Sequence, residues 1–176
     1  MLIETTPLQG VLVTSLQKIE DERGFFARTF CAREFAAAGV DFHVKQTNVS
    51  ANARKGTLRG LHYQGDPQPD TKLVTCTRGA IFDVAVDLRK DSGTYLQWFG
   101  AELSADNRKG LYIPAGCAHG FITLEDDTEV NYLMGETYVA ELARGARWND
   151  PAFAIAWPLA PTAINERDAH YPDWEK

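Results

Sequence analysis

Cysteine is scarce in this 176-residue chain: Cys31, Cys76 and Cys117 stand far apart, with no Cys-x-x-Cys pair. An odd, scattered set excludes a disulfide framework and a thiolate zinc site. Small or apolar neighbours make each one read as a small core hydrophobe. Long apolar runs are missing as well. The longest uncharged stretches, 111–124 and 153–164, contain proline and fall short of the roughly 18–20 residues a membrane span needs. The opening MLIETTPLQG has no basic region followed by an apolar run, so no signal peptide is expected, and the expected location is the cytoplasm. Positive charge is in deficit, with 18 Lys and Arg against 24 Asp and Glu, a net charge of −6. Such a field does not attract phosphate backbones or anionic bilayers, which excludes nucleic acid and membrane as partners. A phosphorylated ligand would therefore need a locally basic site. Helix formers are concentrated in one place only, Ala32–Ala38, stopped by Gly39.

What the chain does have is apolar content, 44%, enough to bury a core, and a length that predicts one domain over 1–176. The run 72–88, KLVTCTRGAIFDVAVDL, is rich in β-branched residues and broken at Arg78-Gly79, a hairpin signal. Further strands are expected at 95–103, 111–113, 119–124 and 129–134, separated by turn clusters at 90–93, 105–110 and 125–128. Short strands at this spacing predict an all-β sandwich or barrel with helices at the margins. From Arg147 the tail is aromatic and repeatedly interrupted by proline, and it reads as loop.

Several polar residues sit where a small barrel should be apolar. In 80–88, Phe82, Val84, Val86 and Leu88 share one face, while Asp83 and Asp87 share the other with Ile81 and Ala85. Those two acids are either the solvated face of a half-buried strand, the reading slightly favoured by strand patterning, or groups directed into a cavity. The stretch 57–64, TLRGLHYQ, packs Arg59, His62 and Gln64 into an otherwise apolar strand broken by Gly60, with Lys72 following shortly. Gln46, Asn48 and Ser50 alternate upstream and so share one strand face, either a wet surface or a strip that reads a ligand. A second histidine, His119, stands in IPAGCAHGF, whose Pro-x-Gly-x-x-His spacing is similar to half of the metal motif of cupin barrels. Only two plausible ligands, His62 and His119, can be counted where a transition metal needs three or four, so no metal is expected. Tyr132 shares a face with Val130 and Met134 and by periodicity reads as a core tyrosine with its hydroxyl at the rim.

Taken together, DERGFFARTF (21–30), QTNVSANARKGTLRGLHYQ (46–64), TKLV (71–74), GAIFDVAVDLRKDSGTY (79–95), LYIPAGCAHGF (111–121), Tyr132, RGARWNDPAFAIAWP (144–158) and ERD (166–168) resemble the dTDP-4-dehydrorhamnose 3,5-epimerase family almost end to end. The resemblance implies a double-stranded β-helix (jelly roll, cupin-like barrel) with short peripheral helices, a homodimer, and a site that uses no cofactor. It implies a nucleotide-linked 4-keto-6-deoxy sugar as substrate, epimerised beside its ketone. A C–H next to a ketone needs a base on one face, a cation or donor at the carbonyl oxygen and an acid on the other face. By resemblance His62 is the base, Asp168 the carboxylate that orients it, and Tyr132 the acid. Lys72, with Arg59 or His119, stabilises the enolate oxygen, and Asp83 partners His119. Arg23, Gln46, Asn48, Ser50, Arg59, Tyr138 and Arg167 match positions that hold the nucleotide, its diphosphate or the sugar.

The chain departs from the family pattern at several places. Arg28 stands where a Glu is usual, Ala143 replaces a Glu, Leu133 a Lys, and Arg167 a Lys. An intact catalytic set with an altered rim predicts a working epimerase that acts at C3, C5 or both on a nucleotide-linked sugar of the dTDP-4-dehydro-6-deoxy-glucose type, with the rim leaving the particular nucleotide and sugar open. The alternatives are an epimerase acting at C3 or C5 alone on a different nucleotide sugar, a metal-dependent cupin enzyme, and a silent sugar-nucleotide binder.

Overall fold

The computed structural model describes residues 1–175. The β-branched and aromatic runs form β1 (Leu2–Thr5), β2 (Leu12–Ser15), β3 (Ile19–Asp21), β4 (Gly24–Phe26), β5 (Gln46–Asn52), β6 (Leu58–Gln64) and β7 (Lys72–Arg78). They continue as β8 (Ala80–Asp87), β9 (Trp98–Ser104), β10 (Gly110–Ile113), β11 (Cys117–Thr123), β12 (Thr128–Met134) and β13 (Ala143–Gly145). Two short helices, α1 (Ala32–Ala37) and α2 (Glu166–Ala169), lie at the margins. One sheet runs β1-β2-β10-β7-β12-β5 and the other β13-β6-β11-β8-β9, while β3 and β4 pair only with each other. From β5 onward the chain changes sheet at almost every strand, which is the winding of a jelly roll.

That winding corrects one local expectation. Arg78-Gly79 is not a hairpin: β7 belongs to the first sheet and β8 to the second, so the break is a corner between sheets. Gly79 has φ +71°, and a Cβ there would meet the Thr128 hydroxyl at 2.4 Å. Turn chemistry marks where a strand ends, but the next strand's partner is chosen by long-range pairing, here β9 and β11.

Three apolar clusters hold the layers. Val74, Cys76, Ile81, Ala85, Leu111, Ile113, Phe121 and Val130 fill the space between the sheets. The outer face of the second sheet, carrying Leu61, Val84, Val86 and Ala118, is covered by Phe153, Trp157 and Trp174 of the tail. The helix α1 inserts Phe35 against Phe42, Leu73 and Tyr112. Each such side chain removed from water contributes roughly 1.5–3 kcal/mol.

The tail covers the Phe82–Val84–Val86 face of β8 and the face carrying the acids turns inward between the sheets, so the favoured reading of those acids as a solvated face is wrong: Asp83 and Asp87 are both 0% exposed. The tail is also more regular than its prolines suggest, since it contributes α2.

Asp87 organises the loop that follows β8. It accepts hydrogen bonds from Arg89 Nε at 2.8 Å, Ser92 Oγ at 2.5 Å and Thr94 Oγ1 at 2.7 Å. Burial pushes its carboxyl up, but the bonds from Arg89, Ser92 and Thr94 outweigh it and hold the group down at about 2. A depressed native value stabilises the fold above the unfolded value of roughly 4 and loses that contribution as pH falls toward the native one. Asp87→Asn is therefore expected to lower unfolding free energy by about 2 kcal/mol at pH 7, with the gap to wild type narrowing between about pH 4 and pH 2. Urea denaturation across that range measures it, and a gap independent of pH would contradict the charged network.

Candidate active site

A bulge aims the key side chains. Along a regular strand Arg59 and His62, three residues apart, would point to opposite faces. In the pairing of β6 with β11, His119 lies opposite His62 and Phe121 opposite Arg59, so Gly60 and Leu61 together face the single residue Gly120. The extra residue resets the alternation, and both Arg59 and His62 reach the same cavity. Only glycine fits on either side. Gly60 has φ +119°, a Cβ on it would lie 2.6 Å from Gly120 Cα, and one on Gly120 would lie 2.8 Å from the Arg59 carbonyl.

The cavity has two joined lobes. The inner lobe, of about 300 Å³, is lined by Ser50, Arg59, His119, Phe121 and Tyr132. The outer lobe, of about 460 Å³, is lined by Gln46, Gln64, Asp70, Tyr138, Arg144 and Arg167 among others. Asn48, His62, Lys72 and Met134 belong to both. The β5 polar strip thus faces the cavity, with Asn48 directly opposite Tyr132 in the ladder and Gln46 bonded to Asn48 at 3.0 Å.

His62 and Asp168 form a dyad. His62 Nε2 lies 2.7 Å from Asp168 Oδ1, and Asp168 Oδ2 accepts the Gly60 N–H at 3.0 Å. Asp168 is fully buried while the His62 side chain is 41% exposed, so the carboxylate sits behind the ring and the ring meets solvent. Burial pushes the Asp168 carboxyl up, yet the His62 and Gly60 bonds more than compensate and hold it below the usual carboxylate range. An ionised carboxylate only accepts, so the proton between the two groups sits on Nε2, and Nδ1 is the ring nitrogen directed away from Asp168. The tail delivers Asp168: Asn165 caps α2 by accepting the Asp168 N–H at 2.7 Å.

A second dyad stands beside it. His119 Nε2 lies 2.7 Å from Asp83 Oδ1, both groups are buried, and burial pushes the Asp83 carboxyl up against the pull of His119. The Tyr132 ring meets His119 edge-on at 6.0 Å. Burial, followed by the nearby Asp83, pushes its hydroxyl well above the ordinary tyrosine value. Tyr132 therefore keeps its proton at neutral pH. Lys72, 5% exposed, lies 2.9 Å from Asp70 Oδ2. Arg59 donates to Asn52 Oδ1 at 2.8 Å, and Arg167 to the Tyr171 hydroxyl at 2.6 Å.

The sequence pattern of the dTDP-4-dehydrorhamnose 3,5-epimerase family matches residues 5–176. The chain belongs to this family. A protein of that name from Sinorhizobium fredii is 43% identical over 173 residues, 98% of this chain and 89% of its own length. The crystal structure of the Bacillus anthracis epimerase with TDP and PPi bound superposes with a TM-score of 0.94 at 40% identity, covering 98% of this chain and 99% of the other. ChmJ, a 3'-monoepimerase from Streptomyces bikiniensis solved with dTDP-quinovose, gives a TM-score of 0.88 at 31% identity, covering 97% and 86%.

Of the residues expected at an epimerase site, His62, Lys72, Tyr132, His119, Arg59, Gln46, Asn48, Ser50, Tyr138 and Arg167 line the cavity, and Asp83 and Asp168 stand directly behind its histidines. Arg23 is not brought there. It sits in the β3–β4 turn, its side chain 84% exposed and paired with Asp21, on neither lobe. The departures divide in the same way. Arg28 pairs with Glu34 of α1, and Leu133 packs with the α1 cluster, both away from the cavity. Only Ala143 and Arg167 border it. Sequence reasoning overlooked Asp70 and Tyr171; the Asp-x-Lys spacing, an acid two residues before a lysine that opens a strand, was the available signal for Asp70.

Asp168→Asn tests the dyad. Asn has one acceptor oxygen for two donors, so either Gly60 N–H or His62 Nε2 loses its partner. A fall in kcat of roughly two to four orders of magnitude is expected from the lost tautomer and orientation. A near-normal rate would show that the carboxylate does not set the state of His62.

Proposed function

We propose that the protein, acting as one epimerase domain, inverts C3 and C5 of a dTDP-linked 4-keto-6-deoxy-glucose to give the 4-keto sugar of the rhamnose series. One observation carries the reading: the dyad base His62 comes from the second sheet and the protonated Tyr132 from the first, with Lys72 on the strand next to that of Tyr132 and all three lining one cavity. A ring held in that gap is approached from both faces by groups in opposite protonation states.

In each half-reaction His62 Nδ1 removes the proton on a carbon beside the ketone, and the electron pair moves to the ketone oxygen. Lys72, with Arg59 and His119, stabilises that enolate, and a preorganised donor of this kind is worth roughly 3–4 kcal/mol of barrier. Tyr132 returns a proton to the same carbon from the opposite face. His62 then passes its proton to solvent and Tyr132 regains one, which resets the site. No step needs a metal or organic cofactor.

Arg59 and Arg167 fit the diphosphate, since an arginine fork matches phosphate geometry. Gln46, Asn48 and Ser50 offer hydrogen bonds along the wall, and Tyr138, 62% exposed, offers a ring at the mouth for the base. Two further features support a homodimer. The β3–β4 hairpin exposes Ile19, Phe25 and Phe26 at 69%, 43% and 73%, and Arg23 at its tip can reach a phosphate only on another copy. Three unpaired cysteines suit the cytoplasm.

The choice of substrate favours dTDP over other nucleotides because the relatives carry that name and two of the four departing residues, Arg28 and Leu133, lie off the cavity. Incubation with the dTDP-4-keto-6-deoxy-glucose donor in deuterated water should place deuterium at C3 and at C5. Labelling of one carbon alone would give a single-centre epimerase, and none at either would remove this substrate. Tyr132→Phe should suppress net epimerisation far more than proton exchange, because abstraction by His62 does not use the hydroxyl; equal loss of both would contradict the acid role.

A further inference from the structure

Asp70 takes no part in the steps above, yet it is 7% exposed and on the cavity wall. Its two oxygens are divided. Oδ1 accepts the Gln64 N–H at 2.9 Å, a bond that ties it to β6 two residues beyond His62, and Oδ2 lies 2.9 Å from Lys72 Nζ. We propose that Asp70 is a positioning residue for Lys72, setting where the ammonium meets the ketone oxygen; this rests on the epimerase reading.

Four observations carry it. Lysine is a point charge on a four-carbon stem whose rotamers must be held for it to act as a fixed donor. The other contact of Nζ, to the His62 carbonyl at 3.5 Å, is too long to hold it. The remaining cations of the outer lobe are restrained differently, Arg167 by the Tyr171 hydroxyl and Arg144 by the carbonyls of Glu141 and Ala143. Among the described lysines and arginines lining the lobe, Lys72 alone is matched to a buried carboxylate. Finally, Asp70 is the only residue type of its size that satisfies both neighbours at once. An Asn in its place has one acceptor oxygen and must leave either the Gln64 N–H or the ammonium without a partner.

The route through Gln64 also couples the two catalytic strands. Gln64 is itself locked, its amide donating to the carbonyls of Gln68 and Thr137 and accepting from the Val139 N–H at 2.8 Å. Asp70 therefore references Lys72 on β7 to the β6 backbone that carries His62, and fixes the distance between base and enolate donor. Misplacing a donor by about 1 Å costs on the order of a hundredfold in rate.

The test compares Asp70→Asn, and Asp70→Glu as the variant that keeps the charge and both acceptors but moves them by one methylene, each alone and with Lys72→Met. With the dTDP-4-keto sugar in deuterated water, each single variant should lose roughly ten- to a hundredfold in kcat for exchange while KM stays near wild type, because the donor matters most when the oxygen gains charge. On the Lys72→Met background the same substitutions should cost nothing further, since a residue acting only through Lys72 has no second route. Unchanged kcat in both variants, or the same loss with and without Lys72, overturns the role; so does a rise in KM at constant kcat. A wild-type protein that exchanges nothing overturns the reaction and this role with it, whereas an active wild type with unaffected variants overturns this role alone.

Discussion

Everything at the site depends on two glycines pressed against each other. Gly60 and Gly120 bring β6 and β11 closer than any side chain allows, and the bulge they permit turns Arg59 and His62 toward one cavity. Without it the strand's period of two would send one of them into the outer cluster of Val84, Val86 and Ala118. The same Gly60 supplies the N–H that, with His62, holds Asp168 ionised. Backbone geometry and proton placement are thus set at a single point of the fold.

Around that point the charges are arranged in depth. Four of the five buried carboxylates among the described residues, at positions 70, 83, 87 and 168, each face a cation or histidine rather than water. Three of them, Asp70, Asp83 and Asp168, stand behind or beside Lys72, His119 and His62, so each of these basic groups reaches the lumen backed by an anion although the protein is acidic. The acidic excess lies elsewhere, for example in the exposed turn Glu125-Asp126-Asp127. Placing anions behind donors fixes their tautomer and direction without setting a carboxylate between donor and ligand.

The tail explains why some of this was hidden from the sequence. Its prolines and aromatics suggested a loop, but Phe153, Trp157 and Trp174 roof the second sheet and α2 carries Asp168 into the barrel. With its Phe82–Val84–Val86 face roofed by the tail, β8 turns its other face inward, and Asp87 on that face is a structural anchor enclosed by Arg89, Ser92 and Thr94 and not a surface residue. Periodicity reports which residues share a face; it does not report what covers that face. The Arg78-Gly79 break was misread for the same reason, because a turn signal is local and the choice of sheet is not.

By itself the sequence determined the all-β class, the strands from β7 to β12, the single helix at Ala32, and, through its ordered motifs, the family and most of the side chains that line the cavity. These are properties of composition, spacing and local propensity. Tertiary structure alone decided the rest. It set the bulge that unites Arg59 with His62, the pairing of Asp70 with Lys72, the exclusion of Arg23 from this chain's own cavity, and the burial of Asp87. Each of these is a contact between segments distant in the chain or a register between strands, and such contacts exist only once the sheets have closed on one another.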